Sequence, residues 1–240
     1  MSALRLLTLS SLLLLQVTLH GQESPDFTRG YWQIGFGLGE LPTGGSFKPS
    51  LTFGYHFSDQ LYAGIIYQLA DEIQRDGDSF NARSTGLDGL RSARETVSRR
   101  LLAHVRYTPF RQGPYLSAGF VFNGRDTEVM QFDDRPRTVA GESYAGTIRI
   151  EQTRPAGWGL ALGLGYQYHF RNGFSAGFEW TPAWGQFPEP HYVFDGTAEL
   201  NEAAQAELRH DMDRGFRSSV TNLYKVFHLG LAYRFPAVNP

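Results

Sequence analysis

The chain contains no cysteine. This removes a disulfide framework, thiolate metal sites and a thiol nucleophile, and with them the lipidated cysteine of a bacterial lipoprotein anchor. Past the N-terminal segment there is no apolar run of the roughly 20 residues that a membrane-spanning helix needs. Charge of one sign is also lacking. The net charge is -2 and the pI is near 6.4, so no basic field calls for nucleic acid. The mean hydropathy of -0.32 resembles that of a water-soluble protein. Transmembrane barrels score the same way, because only alternate residues of each strand face lipid.

Glycine and aromatics are abundant, at 27 residues and 14% of the chain. Both suit strands that pack closely and end at an interface. The N-terminus reads MSALRLLTLSSLLLLQVTLHGQES, with Arg5 as a positive start, an apolar run from Leu6 to Leu19 and a polar break at Gly21 and Gln22. This pattern is that of a secretory signal peptide over residues 1–21, with an uncleaved single anchor as the alternative. Residues 22–240 then form the mature domain.

Period-two alternation dominates that domain, and it marks strands, because successive side chains point to opposite faces. The stretch GWGLALGLGYQYHF places Trp158, Leu160, Leu162, Leu164, Tyr166, Tyr168 and Phe170 on one face. Glycine, alanine, Gln167 and His169 occupy the other. The same pattern recurs in YWQIGFGLG, LTFGYHF, LYAGIIYQL, RLLAHVRYT, PYLSAGFVFN, FSAGFEWT and VFHLGLAYRF, which makes eight strands. Short turns follow Phe57, surround Gln112 and span Arg171 to Gly173, whereas the other connections are long.

The long connections differ in character. Asp71 to Glu95 reads as a charged, mobile loop. Gly124 to Ala156 contains two alternating pieces, read as a hairpin that extends strands five and six; embedding it would raise the count to ten. In the last loop Leu200, Ala204, Leu208 and Met212 recur at one-turn spacing, predicting a short helix over the barrel mouth or against its wall.

Three features place lipid on the apolar face. That face is nearly free of charge, with Arg99 and Lys225 as exceptions at strand ends beside the long loops. Aromatics gather at both ends of the strands, as interfacial girdles do. The opposite face carries His56, Arg100, His104, Arg106, His169, Glu179, His228 and Arg234. Inside a closed barrel these form a polar lumen network, with Glu179 as the acid and Arg100, Arg106 and Arg234 as bases. A soluble calycin-like barrel would invert the pattern. The expectation is therefore all-β: an eight-stranded antiparallel transmembrane β-barrel with long extracellular loops, short periplasmic turns and both termini periplasmic.

The last strand, HLGLAYRF, places His228, Gly230, Tyr233 and Phe235 in the pattern polar, glycine, aromatic, aromatic, followed by PAVNP. It resembles the C-terminal assembly signal of bacterial outer-membrane barrels. The mature chain as a whole resembles the small outer-membrane β-barrel family typified by the OmpA transmembrane domain, OmpX and OmpW. The resemblance implies a bacterial outer-membrane location, contact with outer-membrane lipid and lipopolysaccharide, recognition by the outer-membrane assembly machinery, and a possible extracellular ligand.

No catalytic, metal or cofactor site is predicted. His56 and Ser58 match the His-x-Ser spacing of a lipid A deacylase, but His56 faces inward beside a short turn. The four inward histidines lack convergent spacing for a metal. GFGLG and GLGLG are inward glycines in strands, not dinucleotide loops. An eight-stranded lumen is just wide enough for side chains to fill. The leading expectation is a structural or interaction role for the loops; a narrow solute channel and a lipid A-modifying enzyme are the alternatives.

Overall fold

The computed structural model describes residues 30–40, 47–110, 113–185, 188–218 and 225–236. The segment read as a signal peptide and residues 237–240 of the trailing PAVNP lie outside the described residues. The first strands are β1 (Tyr31–Leu38), β2 (Pro49–His56), β3 (Leu61–Gln68), β4 (Asp71–Arg75), β5 (Leu90–Val97), β6 (Arg100–Tyr107), β7 (Gly113–Asn123) and β8 (Asp126–Phe132). They are followed by β9 (Arg137–Val139), β10 (Glu142–Tyr144), β11 (Ile148–Arg154), β12 (Gly157–His169), β13 (Phe174–Trp184), β14 (His191–Gly196) and β15 (Lys225–Pro236). Two helices are described, α1 (Phe80–Ser84) and α2 (Glu202–Ser218).

Eight strands close into an antiparallel barrel in the order β1-β15-β13-β12-β7-β6-β3-β2. They are the eight alternating stretches of the sequence. The apolar set faces outward: Phe36, Phe120, Leu116, Trp158, Leu160 and Leu162 are all more than half exposed. The polar set is buried. Ring contacts tie the outer aromatics together, with Trp32 against Tyr55 at 4.9 Å and Phe174 against Tyr233 at 5.1 Å at the short-turn end. Phe122 meets Trp158 at 4.8 Å at the loop end. An exterior this apolar, wrapped around a polar interior with every strand paired, suits a hydrocarbon surround.

The seventh sequence stretch stops at Thr181, before Pro182, but β13 continues to Trp184. The register runs Leu160↔Trp184, Ala161↔Ala183 and then Leu164↔Trp180, leaving Leu162 and Gly163 opposite Pro182 and Thr181 without ladder pairs. Proline has no N–H to give, so it sits where the ladder is already interrupted.

The long connections depart most from the sequence expectation. The segment from Asp71 to Glu95 is not a mobile loop; it forms β4, α1 and most of β5. β8 and β11 do pair as an antiparallel hairpin. They are nonetheless the middle of a five-stranded sheet, β14-β11-β8-β5-β4, separate from the barrel. The barrel count therefore stays at eight rather than ten. Helix α2 packs on this sheet. Its stripe of Ala204, Leu208 and Met212 is buried in a core with Ala93, Met130 and Ile150 of the sheet. Asn201 caps its start by accepting from Ala204 N at 2.9 Å, and Tyr192 on β14 donates to Asp213 at 2.6 Å. The sheet and its helices make a cap with a core of its own at the loop end of the barrel.

One acidic pair is built into this cap. Glu95 and Glu128 lie directly opposite each other on β5 and β8. Glu128 accepts from Ser79, the N-cap of α1, and from Asn81. Burial first, then the charge of Glu128, push the Glu95 carboxyl up, while Arg75 at 3.5 Å opposes them.

Two predictions follow from the cap. Leu208→Ala leaves a cavity in its core and should cost about 2–5 kcal/mol. The cap should become sensitive to limited proteolysis, while the barrel keeps its heat-dependent shift on mild SDS gels. Because the Glu95 carboxyl is raised in the folded state, its ionisation opposes folding. Cap stability should therefore fall as pH rises through and above the ordinary carboxylate range of about 4. Glu95→Gln should flatten that slope in a thermal melt followed by cap proteolysis.

Candidate functional site

The candidate site is the barrel interior, which is stacked in layers. Strand alternation brings one side chain inward at every second residue, and the cross-strand register decides which of them meet.

At its centre is Glu179, a fully buried carboxylate. Arg106 donates to Oε2 at 2.7 Å and the Tyr115 hydroxyl to the same oxygen at 3.0 Å. Ser117 and Thr181 each donate to Oε1 at 2.9 Å. His104 Nδ1 lies 2.7 Å from Oε1, and because a carboxylate only accepts, that nitrogen carries the proton. The guanidinium of Arg106 is sandwiched between Tyr62 and Tyr115, at 4.6 and 4.9 Å from the ring centroids. Glycine makes room for both rings: a Cβ at Gly64 would lie 2.2 Å from the Tyr62 hydroxyl, and one at Gly165 2.3 Å from Tyr115 Cζ.

Toward the short turns lies a layer of rings and amides. Tyr31 stacks on His56 at 4.2 Å, and His56 Nε2 is 2.9 Å from Gln33 Oε1. Gln167 donates to the same Gln33 oxygen at 3.2 Å and to Ser175 at 3.0 Å. His169 stands edge-on to His56 at 6.4 Å. Arg234 lies over the Tyr31 ring at 5.4 Å and donates to the Phe170 carbonyl at 3.4 Å. His228, higher in the barrel, has its Nδ1 2.7 Å from Ser50 Oγ.

Toward the loops the interior turns apolar. Ile66, Leu102, Val121, Ala161, Ala183 and Val226 form one buried cluster, with one residue from each of six strands. A second polar layer sits above it. There Arg100 donates to the Lys225 carbonyl at 3.1 Å and lies 3.6 Å from Asp126. Gln68 donates to the Phe227 carbonyl.

The eight ionisable residues expected to line the lumen thus fall into separate groups. His104, Arg106 and Glu179 meet. His56 and His169 are neighbours, while His228 and Arg234 bond elsewhere. Arg100 is cut off from Glu179 by the apolar layer and pairs with Asp126 instead. Of the three expected bases, Arg106 is the one that reaches the acid. Sequence reasoning missed Tyr115, Ser117 and Thr181, which through their hydroxyls supply three of the five side chains around Glu179. Each is inward by alternation, which was a usable signal. It also missed the apolar layer, since single residues on six strands show no local pattern. Among the described residues no group of three His, Asp or Glu side chains is arranged to hold a metal ion. Ser58 is not set against His56: its hydroxyl accepts from Gln60 N and Leu61 N within the turn.

No protein-family model and no curated protein matches the chain. Solved structures do. The chain is similar to the crystal structure of Acinetobacter baumannii CarO, at 14% identity and a TM-score of 0.53, covering 89% of this chain and 100% of that one. It is similar to Acinetobacter baumannii CarO2 at 10% identity and a TM-score of 0.58, covering 86% and 99%. A third match is the outer membrane protein AlkL in DMPC lipid bilayers, at 14% identity and a TM-score of 0.35, covering 92% and 97%. What is shared is the fold. It is that of a closed eight-stranded antiparallel barrel.

The Glu179 shell generates a prediction. Removing one partner of a buried ion pair strands the other, at a cost of about 3–5 kcal/mol. Glu179→Ala, which leaves Arg106 without its carboxylate, should lower the temperature at which the compact gel form converts to the unfolded form. Arg106→Ala should lower it comparably. The double variant should lose less than the sum of the two, as coupled residues do.

Proposed function

We propose that this protein is a Gram-negative outer-membrane barrel whose filled interior serves as an anchor, and that its cap is the part that meets other molecules. The observation that carries this reading is the pairing of a sealed lumen with a separately built cap. Between the turn end and the loop end stand the Glu179 cluster and an apolar layer, and the cavity beside Arg106, Gln167 and His228 has room for roughly one water. A barrel built to conduct leaves an aqueous path. Three of the loops, by contrast, give their residues to a sheet with a buried core, which orders the surface a partner would meet.

In this reading the short turns and both termini face the periplasm and the cap faces outward. His228, Gly230, Tyr233 and Phe235 on β15 are the signal read by the assembly machinery. Lipopolysaccharide surrounds the outer leaflet end, and the ligand is extracellular. The narrow-channel alternative requires the six-residue apolar layer to move aside.

Two measurements test the proposal. In planar bilayers the refolded mature chain should give no stepwise conductance; regular steps would favour the channel. On intact cells, protease should cut the cap of the Leu208→Ala variant without permeabilisation. Cleavage only after the outer membrane is opened would reverse the orientation.

A further inference from the structure

Where the barrel passes into the cap, alternation sorts four charged residues into two pairs. Arg100 and Asp126 face inward and pair with each other. Their chain neighbours Arg99 and Arg125 are both exposed. A backbone bond from Gly124 N to Arg99 O, 2.9 Å long, holds the two arginines on adjacent strand connections. Two like charges side by side at a strand junction repel.

Neighbouring acids do not relieve that repulsion. Asp126, the acid nearest in sequence, already accepts from Ser98 N at 2.7 Å and binds Arg100. Five arginines elsewhere on the cap, Arg75, Arg91, Arg94, Arg149 and Arg214, each lie within 3.6 Å of a carboxylate, and Arg209 lies over the Phe194 ring and donates to Gln205. Among the described residues, Arg99 and Arg125 have no such acidic partner. Directly below them the barrel wall carries Leu101 paired with Phe122, and Phe122 in contact with Trp158, which is 61% exposed. An unmatched cationic pair thus stands on top of an aromatic girdle, with an apolar wall beneath.

We propose that Arg99 and Arg125 form a binding site for the phosphate of an outer-leaflet phosphorylated glycolipid, whose acyl chains lie along the β6–β7–β12 wall. Guanidinium groups match phosphate by forked, charge-assisted hydrogen bonds. The girdle sets the depth at which a headgroup sits. A free phosphate ion would have no use for the apolar wall, so the site is assigned to a lipid. This inference rests on the membrane-barrel reading and identifies the lipid contact within it.

The test uses the refolded mature chain in phosphatidylcholine discs that carry a minor fraction of either bisphosphorylated lipid A or the same glycolipid stripped of phosphate. Lipid retained by the protein is read by native mass spectrometry. Wild type should hold the phosphorylated form in preference. Arg99→Gln and Arg125→Gln should each reduce retention roughly fivefold, the factor one basic side chain supplies at an anionic membrane surface. Arg171→Gln, at an exposed turn on the opposite end of the barrel, should leave it unchanged. Equal retention of the two glycolipids, undiminished retention in the double variant, or equal loss in Arg171→Gln would each overturn the site. Displacement by inorganic phosphate would assign it to the free ion instead. If the arginine variants fail to refold, the comparison of the two glycolipids on wild type still decides. A wild-type chain with no heat-dependent gel shift would bring down the membrane-barrel reading, a failure separate from any of these.

Discussion

A closed ladder of eight strands pairs the backbone around the whole barrel apart from the short break beside Pro182, and the rest of the molecule is arranged around that closure. It divides every barrel residue into inside and outside with no third choice. Outside, the requirement is apolar surface with aromatics at the two ends. Inside, the space is narrow and has to be filled, and a charge placed there has to be answered. Glu179 is answered by a guanidinium, an imidazole and three hydroxyls, all fixed by strand register. The glycines at 64 and 165 belong to the same solution, since a larger residue at either would collide with Tyr62 or Tyr115.

The barrel was legible in the sequence because its physics is local. Period-two alternation names each strand from a handful of residues, and the eight stretches are the eight barrel strands. The inward or outward assignment of every ionisable residue followed from the same parity. Which of them meet did not, because that depends on register across strands far apart in sequence. His104 and Glu179 are separated by 75 positions and touch. Arg100 shares their parity and does not, because Leu102 and its apolar neighbours intervene.

The cap was far less legible. DEIQR in β4 and HYVFDG in β14 are only five and six residues long, and neither would hold as a strand alone. Each exists because a neighbouring strand offers it an edge. The α2 stripe of Ala204, Leu208 and Met212 announced a helix by its spacing, but not the surface that would bury it. β13 runs on past Pro182 because the ladder toward β12 is already open there.

The order β14-β11-β8-β5-β4 has a mechanical meaning. Its five strands are drawn from three different connections, which leave the barrel after β3, β7 and β13. Hydrogen bonding among them makes those connections a single brace across the rim. A loop on an ordinary barrel can swing by itself, but here displacing one connection means stripping a strand from its neighbours. The rim therefore moves as one body or not at all, and the chain can complete that brace only once β14, the last of the five to be delivered, has arrived.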